Sequence, residues 1–226
     1  MNTDLFLQAA RAVFSGLWLT LVVTLAAYVI GQVFALPLAL ARTSGRRWLN
    51  APALTFTFVM RGSPLLVQLF IIYYGLGQIE AVRSSLIWPL LRSPLGCAIL
   101  AVGLNSAAYT AELVAGAILH VPKGQWEAAK ALGIRAPVTL ARIILPQAYR
   151  AILPALGNEM ILVMKGSTLA STVTVMEMTG AARVFVARTY APFEAFAVAG
   201  LIYLLLGAMF GFGFRRVERC VAIPGK

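Results

Sequence analysis

QWEAAKALGIRAPVTLARIILP, residues 125–146, is polar and basic, yet it lies between strongly apolar segments. Good helix formers from Gln125 to Leu132 predict a short surface helix, and Gly133 suits the left-handed position that ends one. Pro122 and Gly124 break the apolar segment before it. Pro137 can open the next helix at its first turn, where no amide donor is needed. Small Ala128 and Ala129 beside Glu127 would let another protein's surface approach closely. A plainer reading is an amphipathic helix lying on anionic head groups.

The surrounding composition says what this stretch interrupts. The chain has 226 residues, 60% hydrophobic and 12% charged, with mean hydropathy +0.84. Soluble domains hold roughly 45–50% apolar and about 25% charged residues. This is therefore an integral membrane protein, long enough for one domain of five or six spans of about 20 residues. The net charge of +11 reads as topology before nucleic-acid binding, because basic residues concentrate in the short loops that stay cytoplasmic. No basic face interleaved with exposed aromatics supports a nucleic-acid partner. Lys123, Lys130, Arg135, Arg142 and Arg150 make the opening stretch the most basic region, so it is placed in the cytoplasm.

Five spans follow in order. Met1 to Arg11 reads as a weakly amphipathic leader without the basic region or cleavage site of a removable signal. Spans are expected over about 14–41, 51–77, 95–119, 140–164 and 193–214, with 122–146 as the cytoplasmic loop and the whole chain a single transmembrane domain. Arg42, Arg46 and Arg47 after span one, and Arg215, Arg216 and Arg219 after span five, put the N-terminus outside and the C-terminus inside. Residues 165–188 read as a re-entrant or partly buried outer segment, since Leu169 to Met178 is too short and polar to span. Cys97 and Cys220 fall on opposite sides of the membrane, which excludes a disulfide. His120, the only histidine, closes span three as a polar cap.

The chemistry lies in the polar residues within the spans. Arg61-Gly62-Ser63-Pro64 interrupts span two, and a guanidinium at membrane depth costs roughly 2.5–3.5 kcal/mol unless it is paired or faces water. Gln68, two helical turns on, could face the same side. Asn105, Tyr109 and Glu112 on span three follow i, i+4, i+7 spacing and share one face. Glu112 is either a pathway carboxylate or the buried partner of Arg61. Glu159 near the end of span four and Lys165 just after it form a second possible pair, or reach the translocation path.

Glu127-Ala128-Ala129, three residues, Gly133, nine residues, Ile143, any residue, Leu145-Pro146 matches the cytoplasmic signature (EAA) loop of binding-protein-dependent ABC importer membrane subunits. Arg61 to Gln68, Ala108 to Glu112, Gly116-Ala117-Ile118, and Pro122 with Gly124 resemble the polar amino acid uptake branch of that family. Asn158-Glu159, Thr172 to Thr174, Ala182-Arg183, Pro192-Phe193 with Ala195-Phe196, and Phe214 to Arg216 with Glu218 resemble the M-type subunit of histidine, lysine/arginine/ornithine and opine importers. The likeness spans nearly the whole chain. It implies an all-α, MetI-like permease of the type I importers in the bacterial inner membrane, with Glu127, Ala128, Ala129, Gly133, Ile143, Leu145 and Pro146 coupling to ATPases. It also implies three kinds of partner: two copies of a cytoplasmic P-loop ATPase, a Q-type sister membrane subunit and a periplasmic amino-acid-binding protein.

No G-x-x-x-x-G-K-[ST] phosphate loop occurs, and Lys165-Gly166-Ser167-Thr168 lacks its spacing, so ATP and Mg belong on a separate polypeptide and this chain carries no cofactor. The expected function is a non-catalytic subunit importing polar, basic amino acids, with Arg61, Gln68, Asn105, Tyr109, Glu112, Glu159 and Lys165 along its path. A cationic substrate side chain would favour Glu112 or Glu159, and an α-carboxylate Arg61 or Lys165. A secondary transporter driven by an ion gradient is the alternative, but it would be expected to show inverted repeats, and the two halves do not echo each other. An intramembrane enzyme lacks its constellation, with no HExxH or Ser-His pattern on the spans.

Overall fold

The computed structural model describes residues 3–221, and all regular structure among them is helical. Helix α1 (Thr3–Ser15) is separated from α2 (Leu17–Thr43) only by Gly16. α2 lies along α7 (Pro94–His120), the most extensive helix pairing in the molecule. Buried small residues recur every fourth position on both: Ala27, Gly31, Ala35 and Ala39 on α2, and Gly103, Ala107, Ala111 and Ala115 on α7. Lipid offers helices no hydrophobic drive to associate, so close backbone approach over small residues holds such pairs together. A Cβ on Gly31 would stand 2.8 Å from Ser106 Oγ.

The second apolar segment is not a straight crossing. α3 (Arg47–Gly62) and α4 (Leu65–Phe70) meet at a bend of 108°, and α4 runs on through a π turn (Ile71–Gly75) and a 3₁₀ turn (Leu76–Gln78). Short helices α5 (Glu80–Arg83) and α6 (Trp88–Leu91) fill the loop before α7. After α7 come α8 (Lys123–Ala131) and α9 (Ala136–Thr139), which form the basic loop. A π turn (Leu140–Ile144) leads into α10 (Leu145–Ser167), then a 3₁₀ turn (Thr168–Val173), α11 (Met178–Thr189) and α12 (Pro192–Val221).

By length and composition three stretches could cross a membrane, namely α1–α2, α7 and α12, or four with the bent pair α3–α4. α10, at 23 residues, is about 34 Å long, enough for a hydrocarbon core of about 30 Å. Arg150, Glu159 and Lys165 keep it from reading as an apolar rod. It packs against α7, α12 and α2, which gives its buried polar groups protein in place of lipid.

One segment differs from the sequence reading, and the one after α10 gains detail. α1 is a packed helix, because Ala9 and Val13 are fully buried in a cluster with α11 and α12, and the first long helix begins at Leu17. The stretch after α10 folds back as the 3₁₀ turn and α11, with Glu177 at the α11 N-terminus accepting from the amides of Gly180 (2.8 Å) and Thr179 (3.0 Å). The Tyr203 hydroxyl donates to the same carboxylate, and Met178 N–H donates to Thr20 Oγ1 at 3.1 Å, tying α11 to α12 and α2. The Glu177 side chain is among the most deeply buried of the described residues, within the stretch expected to be re-entrant or partly buried.

Gly16 sits at the centre of that junction. A Cβ there would fall 2.5 Å from the carbonyl carbon of Glu177 and 2.6 Å from Met178 N, both backbone atoms. Gly16→Ala is expected to cost about 1–3 kcal/mol, the usual penalty of overpacking, read as a lowered thermal midpoint of the purified protein. Gly200→Ala, where nothing lies within 4 Å, should leave the midpoint unchanged.

Candidate functional site

The break in the second segment sets up the site. Pro64 has no N–H, so the carbonyl of Met60 loses its helical partner. Irregular backbone at membrane depth survives only where protein satisfies it. Gln68 Nε2 donates to Met60 O at 2.7 Å and to Ser63 O at 3.1 Å, and Asn105 Nδ2 donates to Met60 O at 2.9 Å and to Gln68 Oε1 at 3.0 Å. The Tyr109 hydroxyl donates to Arg61 O at 3.4 Å. Gln68 and Asn105 therefore hold the bend together, and buried Gln68 is a staple of the break before it is a wall of any cavity.

Glu112, further along the same α7 face, is paired differently from the expectation. Arg42 Nε donates to Glu112 Oε1 at 2.9 Å and Arg42 Nη2 to Oε2 at 3.4 Å, while Thr57 Oγ1 donates to Oε1 at 2.8 Å. Arg61 Nη1 stands 4.0 Å from Oε2, so it is the outer cation of a shared carboxylate. Sequence analysis assigned Arg42 to the cytoplasmic loop. α2 continues as helix to Thr43 alongside α7, and that extra turn brings Arg42 to Glu112. The third Arg42 nitrogen, Nη1, donates to the Asn50 side-chain carbonyl, so the cluster joins α2, α3 and α7.

Arg61 is left with a freer role. Its guanidinium lies over the Tyr109 ring, 5.3 Å from the centroid, and its side chain is 43% exposed. It lines a cleft of about 460 Å³ with Tyr109, Glu112, Asn158, Glu159 and Leu162. A neighbouring cavity of about 180 Å³ shares Tyr109, Glu159 and Leu162 and extends to Asn105 and Ser106. Glu159 is 6% exposed and accepts from Ser106 Oγ at 2.8 Å. The expected pair of Glu159 with Lys165 is not present: Lys165 is exposed on α10, within ion-pairing distance of no carboxylate among the described residues, and lines neither cavity. Six residues along α10 are about 1.7 turns, so Lys165 lies roughly 120° around the helix from Glu159 and points elsewhere. The cleft thus presents the Arg61 guanidinium and two carboxyls, Glu112, already bonded to Arg42, and Glu159, which has no cationic partner among the described residues, a pattern complementary to a zwitterion.

The basic loop is a second site. α8 ends in paired reversed bonds, Gly133 N–H to Lys130 O at 3.0 Å and Ile134 N–H to Ala129 O at 2.9 Å, with Gly133 at φ +70°. This is the Schellman arrangement, and a left-handed residue is needed to close it. Glu127, Ala128, Leu132 and Gly133 are exposed, whereas Ala129 is 2% exposed and covered by its own chain, so it is not available to a partner as the sequence reading supposed. Ile143 and Leu145 are half-buried against the cluster of Val114, Ile118 and Ile144, together with Trp126, while Pro146 is exposed in the first turn of α10. Those residues anchor the loop to α7, and α8 is the part displayed. Among the described residues no group of three metal-ligating side chains occurs.

The geometry has clear counterparts. The chain is 48% identical over 195 residues to the octopine transport system permease protein OccM of Rhizobium meliloti, covering 86% of this chain and 80% of that one. It is 42% identical over 207 residues to the histidine/lysine/arginine/ornithine transport system permease protein HisM of Escherichia coli K12, covering 91% and 87%. A solved structure described as an amino acid ABC transporter with histidines superposes with a TM-score of 0.81 at 32% identity, over 97% of this chain and 98% of that one. Residues 28–222 match the family described as binding-protein-dependent transport system inner membrane component. With that match over most of its length, this chain belongs to the family of binding-protein-dependent transport system inner membrane components.

Proposed function

We propose that this chain is the non-catalytic half-pathway of an ATP-driven importer for polar, basic amino acids or opines. Hydrolysis takes place on two copies of a separate P-loop ATPase that dock on α8, a Q-type sister subunit closes the open side of the cleft, and a periplasmic binding protein delivers substrate. The N-terminus faces the periplasm and the C-terminus the cytoplasm. The observation that carries this reading is the display of Glu127, Ala128 and Leu132 on a rigidly terminated helix in the most basic loop, in a chain with no phosphate loop of its own. The names of the relatives, octopine and histidine/lysine/arginine/ornithine permeases, support the substrate class.

Within the cleft, Arg61 takes the substrate α-carboxylate and Glu159 the ammonium or guanidinium: an intramembrane ionisable residue is a functional-site candidate by default, Arg61 meets its carboxylate only at 4.0 Å, and Glu159 has no cation within ion-pairing distance among the described residues. Glu112 is engaged by Arg42 and serves the cleft indirectly, by holding its walls. Lys165 lies outside it. The test is reconstitution in vesicles with the ATPase, sister subunit and binding protein. Labelled arginine or octopine is expected to enter only with ATP inside the ATPase compartment, and uptake driven by a proton gradient without the ATPase would overturn the proposal. In the same vesicles Glu159→Gln should raise the KM for cationic substrates about tenfold or more, the loss that follows from removing one charge-assisted contact, while the complex still assembles. An unchanged KM removes Glu159 from the path.

A further inference from the structure

A further cavity lies apart from the cleft. It is a groove of about 740 Å³ where the ends of α2, α3, α7, α8 and α9 converge. Its floor is apolar, with Leu40, Ile118 and Leu140, and Leu119 stands 74% exposed at its side. Two cations, Arg46 and Lys123, line it, and no acidic residue does. Among the described residues neither cation has a carboxylate within ion-pairing distance; Glu127, one turn from Lys123, is on the exposed surface of α8. Trp126 forms part of the wall, and Trp48, next to the groove on α3, is 69% exposed.

The apolar helices α2 and α7 end here, which puts the groove at the boundary between hydrocarbon and water. Indole rings are enriched at that boundary. Basic pockets between helices on the cytoplasmic side take anionic lipid head groups, and the volume falls within the range of ligand sites, about 300–1,000 Å³. A soluble anion would use the two cations and leave the apolar floor wet. A neutral lipid would use the floor and leave the cations unmatched. We propose that this groove binds an anionic phospholipid of the inner leaflet, with its phosphate between Arg46 and Lys123 and the start of an acyl chain over Ile118 and Leu119. The choice of leaflet rests on the cytoplasmic placement of α8; the site itself does not depend on transport.

The experiment is native mass spectrometry of the paired membrane subunits in detergent, before the ATPase is added, titrated with phosphatidylglycerol and, separately, with phosphatidylcholine. The intact protein is expected to hold one phosphatidylglycerol per copy of this chain in preference to phosphatidylcholine. The double variant Arg46→Gln, Lys123→Gln should weaken that binding on the order of 30-fold, the fold-change supplied by two basic contacts at a membrane surface. The control variant Arg215→Gln, Arg216→Gln, equally basic at the end of α12, should keep it. Equal binding of phosphatidylcholine, an unchanged adduct in the groove variant, or equal losses in both variants would overturn the site. Displacement of the lipid on adding the ATPase would also overturn it, by making the groove a protein-docking surface. Because lipid occupancy is read without any uptake assay, failure of the transport reading and failure of this site give different results.

Discussion

Glu112→Gln is expected to lower uptake by at least about tenfold and to destabilise the protein by about 3 kcal/mol, the low end of the cost of breaking a buried ion pair by removing one partner. Both side chains retain some exposure, 20% for Arg42 and 24% for Glu112, which is why the low end applies. The amide can still accept from Thr57, but Arg42 is left as an uncompensated charge between α2, α3 and α7. Arg61 loses its outer carboxylate at the same time and is held only by the Tyr109 ring. Arg42→Gln combined with Glu112→Gln removes both charges, and most of the lost stability should return, giving a coupling energy of about 2 kcal/mol in a double-mutant cycle. Thermal unfolding of the four proteins measures this, and strictly additive single effects would show that the two residues do not act as a pair.

Gly133→Val should separate ATP hydrolysis from uptake. At φ +70° a β-branched residue is strained by roughly 1–2 kcal/mol, and the strain is relieved by abandoning the left-handed turn that closes α8. No heavy atom lies within 4 Å of the position a Cβ would take, so the effect arises from backbone conformation and not from a clash inside this chain. Gly133→Asn provides the control, because asparagine tolerates the left-handed region. The expected order of binding-protein-stimulated uptake is glycine, then asparagine, then valine, with hydrolysis by the ATPase persisting in the valine protein. Normal coupling in the valine protein would mean that α8 is a surface helix with no role in transmission.

Much of the basic loop was legible because its signals are local. Helix formers, Gly133 as terminator and Pro137 as starter act within a few residues, and α8 and α9 follow them. What local signals could not show is which side of α8 is covered. Ala128 and Ala129 are indistinguishable by composition, and only the packing of Trp126, Ile143 and Leu145 against α7 turns Ala129 inward and leaves Ala128 outside. The four-residue spacing of Ala27, Gly31, Ala35 and Ala39, and of Gly103, Ala107, Ala111 and Ala115, was present in the sequence. Read as an interhelical signal, it would have placed α2 against α7.

That placement separates the two levels of information. The membrane environment, the helical class, the break at Pro64, the shared face of Asn105, Tyr109 and Glu112, and the basic loop all follow from composition, hydropathy and helical period, which act along the chain. The partner of each charge does not follow, because a charge meets whatever the packing of distant helices brings within about 4 Å. Tertiary structure gave Glu112 to Arg42, left Arg61 over Tyr109 at the cleft, seated Glu159 on Ser106 and buried Glu177 at the head of α11, since in a low-dielectric interior the position of the nearest opposite charge or donor decides which carboxylates are structural and which remain available to a ligand.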